Sequence, residues 1–364
     1  MNNAAERPAP RILIIGAGPA GLATAAALRQ LNLPFRLLDR YGVSGGAYAR
    51  IHSGMEMASP ARYGGLGGMP FDPGHEYGTV RDCLEYLQEF AIRNTLIPEP
   101  ADVLLIEPDG REFLVRHRQR AELSARFDVV VVASGVFDYR KPVAIPGLPT
   151  NSTASSSNPL VLHGGDWPGA EKFRGQRLLI IGAGMSGVEI AEEGAQASLA
   201  VTISARRGSP RLMAQRLFGR DIHDYVYYFE RLPPWLWRNF CSHRPALRAI
   251  DRSFRREVIA GRIVLKPEVF RFDGQRAHFS DGTQGDADVV VMATGYHFAA
   301  PFLPADELRA PAGHPQARDG ESQKYPGLYY VGSPCARALD SEFLRGIARD
   351  AVVVAGKIKQ RLAG

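Results

Sequence analysis

Two glycine-rich loops constrain this chain more than any other feature: Gly16-Ala17-Gly18-Pro19-Ala20-Gly21 and Gly182-Ala183-Gly184-Met185-Ser186-Gly187. Each follows an apolar, strand-like run and opens a helix-like segment. In GxGxxG every glycine has a job. The first permits a tight strand-to-helix turn, the second lets backbone N–H groups reach a pyrophosphate, and the third lets helix and strand pack closely. The phosphates then face the N-terminus of the helix. One such loop is weak evidence, because glycine turns are common. Two in the same context imply two bound dinucleotides.

The residues after each loop separate the two ligands. Arg11 to Ile15 reads as a buried parallel strand, Gly21 to Leu31 as the following helix and Phe35 to Leu38 as the second strand of a βαβ unit. Asp39, with Arg40 beside it, ends that unit about 20 residues past the loop, where a carboxylate accepts hydrogen bonds from ribose hydroxyls. A simple strand-end turn is the alternative for Asp39. The second unit repeats the pattern with Arg177 to Ile181, Val188 to Ala197 and Leu199 to Ile203. It runs into Ser204-Ala205-Arg206-Arg207, a hydroxyl and two guanidiniums suited to a 2′-phosphate, or else a solvated surface pair. The first loop therefore suits FAD and the second NADPH. The expected fold is α/β, with two nested Rossmann-like dinucleotide-binding domains.

Composition narrows the class further. The 364 residues are 45% hydrophobic and 23% charged, ordinary for a globular enzyme. Cys83, Cys241 and Cys335 lie far apart, which predicts neither a disulfide framework nor a paired-cysteine redox or zinc site, and fits a reducing cytoplasm. No metal centre is expected. No apolar run approaches the roughly 20 residues of a membrane span, and Met1 to Arg7 reads as a short tail rather than a signal peptide. The net charge of +6 comes from scattered arginines without a nucleic-acid module, so an anionic cofactor accounts for it and no nucleic-acid partner is expected.

The loops also set the domain plan. Residues 1–148 and 299–364 are assigned to an FAD domain and residues 159–298 to an inserted NADPH domain, with a helical insert at about 210–260. Pro149 to Pro159, polar and proline-bounded, is an exposed hinge loop. Within the insert, Arg244 to Val258 places Leu247, Ile250, Phe254 and Val258 at helical spacing and predicts an amphipathic helix. Asp224 to Phe240 is rich in aromatics. It reads as a packed helical pair, a cover over an apolar substrate or a membrane-touching face. Two matched runs, Asp128 to Gly135 and Asp288 to Gly295, look like the strands by which the chain leaves each domain.

In this order the motifs resemble the flavin-containing monooxygenases, particularly the small bacterial members, over nearly the whole chain. The resemblance rests on the first loop with Asp39, on Gly45-Gly46-Ala47-Tyr48, similar to the family's Gly-Gly-x-Trp, and on Ile145-Pro146-Gly147. It continues through Phe173-Arg174-Gly175-Gln176, the second loop, Ala293-Thr294-Gly295-Tyr296 and the closing Tyr325 to Gly332 run. It implies cofactor contacts from Gly46, Tyr48, Ser186, Thr294, Gly295 and Gly332. The family's hinge motif FxGxxxHxxx, followed by Tyr or Trp, is partial here. His163 and Trp167 are kept, but Ser157 and Pro159 stand at the Phe and Gly places. His163 is read either as a hinge histidine bonding backbone or as a direct participant. Met55 to Phe71 should pass the flavin ring, with Ala58 and Ser59 where the family places an asparagine and Arg62 just downstream. The resemblance implies NADPH reduction of FAD, a C4a-hydroperoxyflavin and delivery of one oxygen atom from O2 to a small organic substrate. Candidate catalytic residues are Ser59, Arg62 and His163. A sulfide or amine needs little help from the protein, whereas a ketone needs a cationic or hydrogen-bonding stabiliser, the role offered to Arg62. Two other readings stay open, a flavoprotein reductase without oxygen insertion and a nucleotide-binding regulator. Oligomeric state, homodimer or otherwise, is left open by the sequence.

Overall fold

A computed structural model describes residues 11–149, 158–206, 212–230, 248–250, 252–298, 300–309 and 314–364. Met1 to Arg7, Ser157, Arg207, Leu247 and the part of the aromatic stretch after Glu230 lie outside them. The apolar run β1 (Ile12–Ile15) is buried on both faces, as parallel strands are. It feeds α1 (Pro19–Gln30), where Pro19 occupies the first turn, a position at which its missing N–H costs nothing. The first sheet continues with β2 (Phe35–Asp39), β3 (Glu99–Pro100) and β7 (Val129–Val132), and, after a separate antiparallel pair of β20 (Leu308–Arg309) and β21 (His314–Pro315), with β22 (Ala317–Arg318), β23 (Glu321–Ser322) and β24 (Leu328–Tyr330) near the end of the chain. β1 lies at the centre, paired in parallel with β2 and β7, and β7 pairs with β24 through Val130 and Leu328.

One face of this sheet is covered by α1, α2 (Val80–Arg93) and the C-terminal α6 (Leu344–Ala363). Thr79 and Asp82 close a capping box at the start of α2. The other face is covered by an antiparallel sheet of β4 (Asp102–Asp109), β5 (Glu112–Arg118) and β6 (Glu122–Phe127), which brings Phe113, Val115 and Phe127 against Leu13, Val130 and Val132.

The second sheet has the same plan. It is ordered β15 (Ile263–Lys266), β10 (Ala200–Ser204), β9 (Arg177–Ile181), β19 (Val289–Met292) and β8 (Leu160–His163), all parallel. On one face lie α3 (Met185–Gln196) and α5 (Arg252–Ile259), with Phe254, Trp167 and Phe173 in the core. The other face carries an antiparallel sheet of β16 (Val269–Asp273), β17 (Arg276–Phe279) and β18 (Gln284–Asp286), with Phe272 and Phe279 against Leu179 and Val290. Neither antiparallel sheet was anticipated from sequence.

Three expectations are corrected. The insert is not purely helical: β11 (Leu212–Ala214) pairs in parallel with β14 (Arg248–Ile250), and a hairpin of β12 (Arg216–Leu217) and β13 (Arg220–Asp221) precedes α4 (Ile222–Phe229). The amphipathic helix begins at Arg252 rather than Arg244, and Ile250 sits on a strand. Cys335 is disulfide-bonded, so separation along the chain did not keep its sulfur from a partner. Cys83 is free and buried, which pushes its thiol up to about 12. Among the described residues no helix is long and apolar enough to cross a membrane.

Candidate functional site

The two glycine loops have nearly the same geometry. A Cβ on Gly16 would lie 2.6 Å from the Ala133 carbonyl oxygen, and one on Gly182 would lie 2.4 Å from that of Ala293. A Cβ on Gly21 would strike the Gly16 oxygen at 1.8 Å, and one on Gly187 the Gly182 oxygen at 2.1 Å. These four glycines serve the turn and the strand-to-helix contact. The middle glycines differ: around Gly18 and Gly184 the nearest atom to an added Cβ is 3.9 Å away, an ordinary contact rather than a clash, and each lines a cavity at the start of its helix. That is the room a pyrophosphate needs. The matched exit strands explain the pairing, because β7 and β19 lie beside β1 and β9 and deliver Ala133 and Ala293 beneath the first glycines.

A cavity of about 540 Å³ runs between the two loops. Gly16, Gly18, Asp39, Arg40, Gly46 and Tyr48 line it from the first module, joined by Gly332. Gly184, Ser186, His163 and Gly295 line it from the second. The Asp39 carboxylate accepts the N–H of Ala17, inside the loop, and that of Tyr41, each at 2.9 Å. An ionised carboxylate has about four acceptor sites, so capacity remains for ribose hydroxyls. Arg40 is held by Asp102 at 2.8 Å and Asp138 at 3.1 Å. Burial pushes the Tyr48 phenol far up, keeping it neutral against the cavity.

Several expected contacts are redirected by the structure. Ser204 is buried. Its hydroxyl donates to the Pro267 carbonyl at 2.8 Å and accepts from the Val269 N–H at 3.2 Å, so it secures the chain entering β16 and does not face a phosphate. Arg206 is exposed just beyond β10, while Arg207 lies outside the described residues. The Thr294 hydroxyl donates to the Lys141 carbonyl at 3.2 Å and ties the end of β19 to the chain that follows β7, leaving Gly295 on the cavity wall. Arg62 does not line the cavity. Its guanidinium turns outward to Asp224 at 2.6 Å and Glu76 at 3.2 Å. Sequence alone shows that a cation is near; it does not show which carboxylate claims it.

His163 is half-buried at the end of β8. Its Nδ1 accepts the Gly165 N–H at 3.0 Å, and its ring meets Tyr296 edge-on with centroids 5.0 Å apart. Burial, then the nearby Arg140 guanidinium, pushes its pKa down and favours the neutral ring. The histidine thus caps the turn that follows β8 while one side of it faces the cavity. Trp167 is fixed onto α3 through its indole N–H, which donates to Glu193 at 2.7 Å.

The residues that sequence reasoning missed are Arg345 and Glu230. Arg345 opens α6, lines the cavity and donates from Nε and Nη2 to the two carboxylate oxygens of Glu230, both at 2.7 Å. Its Nη1 donates to the Ser59 hydroxyl at 2.5 Å. Ser59 is therefore at the cavity, as expected, but it is bound by an arginine from the far end of the chain. Glu230 follows α4, which docks on the 59–77 loop: Tyr63 stacks on Tyr227 with centroids 4.5 Å apart and donates to Asp224 at 2.5 Å, and Tyr77 donates to Asp221 at 2.5 Å. A usable signal existed. The Tyr325 to Gly332 run brings the chain to the first loop, so the residues opening the next helix belong to the site.

The sequence matches the pyridine nucleotide-disulphide oxidoreductase family over residues 13–217 and a flavin-binding monooxygenase-like family over residues 246–310. It is 28% identical to a probable indole-3-pyruvate monooxygenase, YUCCA8, from Arabidopsis thaliana over 95% of this chain and 88% of that protein. The fold superposes on a flavin-containing monooxygenase from Stenotrophomonas maltophilia with a TM-score of 0.76, 21% identity and coverage of 96% of this chain and 98% of that one. It also superposes on a bacillithiol disulfide reductase from Bacillus cereus with a TM-score of 0.74, 19% identity and coverage of 97% and 99%.

Proposed function

Because the chain belongs to the flavin-containing monooxygenase family, matches the pyridine nucleotide-disulphide oxidoreductases over residues 13–217, and is an FAD- and NADPH-dependent enzyme that inserts oxygen into a small molecule, we propose that its substrate is a soft heteroatom compound, a sulfide or an amine. The observation that supports this is the pairing of every arginine on the described cavity wall. Arg40 is bound by Asp102 and Asp138, Arg50 by Asp138, and Arg345 by Glu230. A ketone needs a cation or hydrogen-bond donor free to hold developing negative charge, and these guanidiniums are already committed to carboxylates; a thioether or amine needs neither.

The residues present fit both cofactors. The backbone around Gly18 and the N-terminus of α1 would receive the FAD pyrophosphate, with Asp39 on the ribose and Gly46, Tyr48 and Gly332 along the wall. Gly184, Ser186 and the N-terminus of α3 would receive NADPH, with Arg206 towards the 2′-phosphate. We assign residues 1–148 with 299–364 to the first cofactor and 159–298 to the second. When bound, FAD supplies electron transfer from NADPH and reaction with O2. The protein's part is to position and to exclude water. Met57, Tyr63, Phe71 and Phe343 present an apolar wall, α4 docks on it at Tyr63, and neutral His163 fixes the turn on the NADPH side. Dependence on NADPH favours a cytoplasmic setting over the oxidising one that the Cys335 disulfide alone would suggest.

The test is NADPH consumption in air, with hydrogen peroxide and oxygenated product quantified for a thioether, a tertiary amine, a cyclic ketone and an aromatic 2-oxo acid, the last chosen from the name of the Arabidopsis relative. Sulfoxide or amine oxide should form in proportion to NADPH consumed. Stoichiometric peroxide without product across the panel would return the protein to the reductase reading, and product from the ketone or oxo acid alone would replace the substrate class.

A further inference from the structure

We propose that Arg345 is a positioning residue that sets the charge environment of the bound flavin, with Glu230 as its counter-ion. The inference rests on the FAD assignment above. Both residues are 7% exposed, and Arg345 lines the same cavity as Gly18 and Gly332. The guanidinium is fixed on every side: Glu230 holds Nε and Nη2, Ser59 takes Nη1, and the Phe343 ring lies 4.2 Å from the guanidinium carbon. It stands in the first turn of α6, where the free N–H groups add charge of the same sign. Glu342, also on the wall, is its acidic neighbour in sequence.

The pair is divided between the two modules. Arg345 belongs to the helix packed on the first sheet, whereas Glu230 is delivered by α4 from the chain between β10 and β15 of the second. Removing either member of a buried pair leaves the other uncompensated. Reduction adds negative charge to a flavin. A lone Arg345 cation therefore favours the reduced cofactor, a lone Glu230 anion disfavours it, and the intact pair sits between.

This opposition gives the test. The midpoint potential of bound FAD is measured by dye equilibration in the parent protein, Glu230→Gln, Arg345→Met, the double variant and Arg62→Met, with flavin content checked by absorbance. Glu230→Gln should shift the ratio of reduced to oxidised affinity by about tenfold in favour of reduced FAD, about 30 mV for a two-electron couple. Arg345→Met should shift it about as far the other way, while the double variant and Arg62→Met stay within about threefold of the parent. Single variants that move in the same direction, or that retain FAD and move less than about threefold, would reduce the pair to a mechanical clasp. If either single variant loses FAD, the double decides: retention with a near-parental potential supports compensation, and loss or displacement overturns it. A parent that binds no FAD would instead sink the cofactor assignment itself.

Discussion

A side chain contributes to a ligand only with the donors that the protein leaves it. Ser204 and Arg206 stand two positions apart at the end of the same strand, yet the hydroxyl is taken by Pro267 and Val269 while the guanidinium is exposed. Recognition of the 2′-phosphate should therefore fall on Arg206 among the described residues. A charge-assisted contact is worth about 1.5–3 kcal/mol, so Arg206→Ala should raise the KM for NADPH by about ten- to a hundredfold. NADH kinetics should hardly change, and an equal effect on both nucleotides would exclude the contact. The same logic separates Arg62 from Arg345. The glycines were readable because their roles depend on local spacing. The arginines were not, because Asp224 and Glu230 lie more than a hundred residues from the guanidiniums they bind.

At the scale of elements, the buried runs of β1, β7, β9 and β19 were legible because parallel strands covered on both faces are continuously apolar. The antiparallel sheets were harder to see. β6 mixes exposed and buried residues with charges between, so its pattern is weak until it meets β5. The start of α5 was misread because apolar spacing continues through Ile250, although the backbone there pairs with β11. One consequence of the first antiparallel sheet concerns pH. His117 in β5 is almost completely buried, and burial followed by the nearby Arg36 lowers its pKa, only partly offset by the Val115 backbone and Glu99. The unfolded chain then binds a proton more readily than the folded one as pH falls through about 6.5, so stability drops in that window. His117→Leu should flatten the fall in unfolding temperature between pH 7 and pH 5.5. Parallel pH profiles for the variant and the parent would refute this.

At the scale of the molecule, the first sheet takes strands from residues 12–132 and then from 317–330, while the second is drawn from 160–292 with no strand of the first between. Synthesis on a ribosome meets these requirements in reverse order. The module at the N-terminus emerges first but lacks β24 beside β7 and α6 over α1. The second has all its parallel strands once Met292 has emerged. The usual N-to-C order of domain folding is thereby inverted. A nascent chain arrested with residues 1–316 outside the tunnel should protect the second module from protease and leave the first open to cleavage; protection of both would contradict this order. Until its last helix arrives, the N-terminal part of the first module waits with one apolar face unsealed, and the cell's chaperones rather than the first module's own sequence would decide whether it survives the wait.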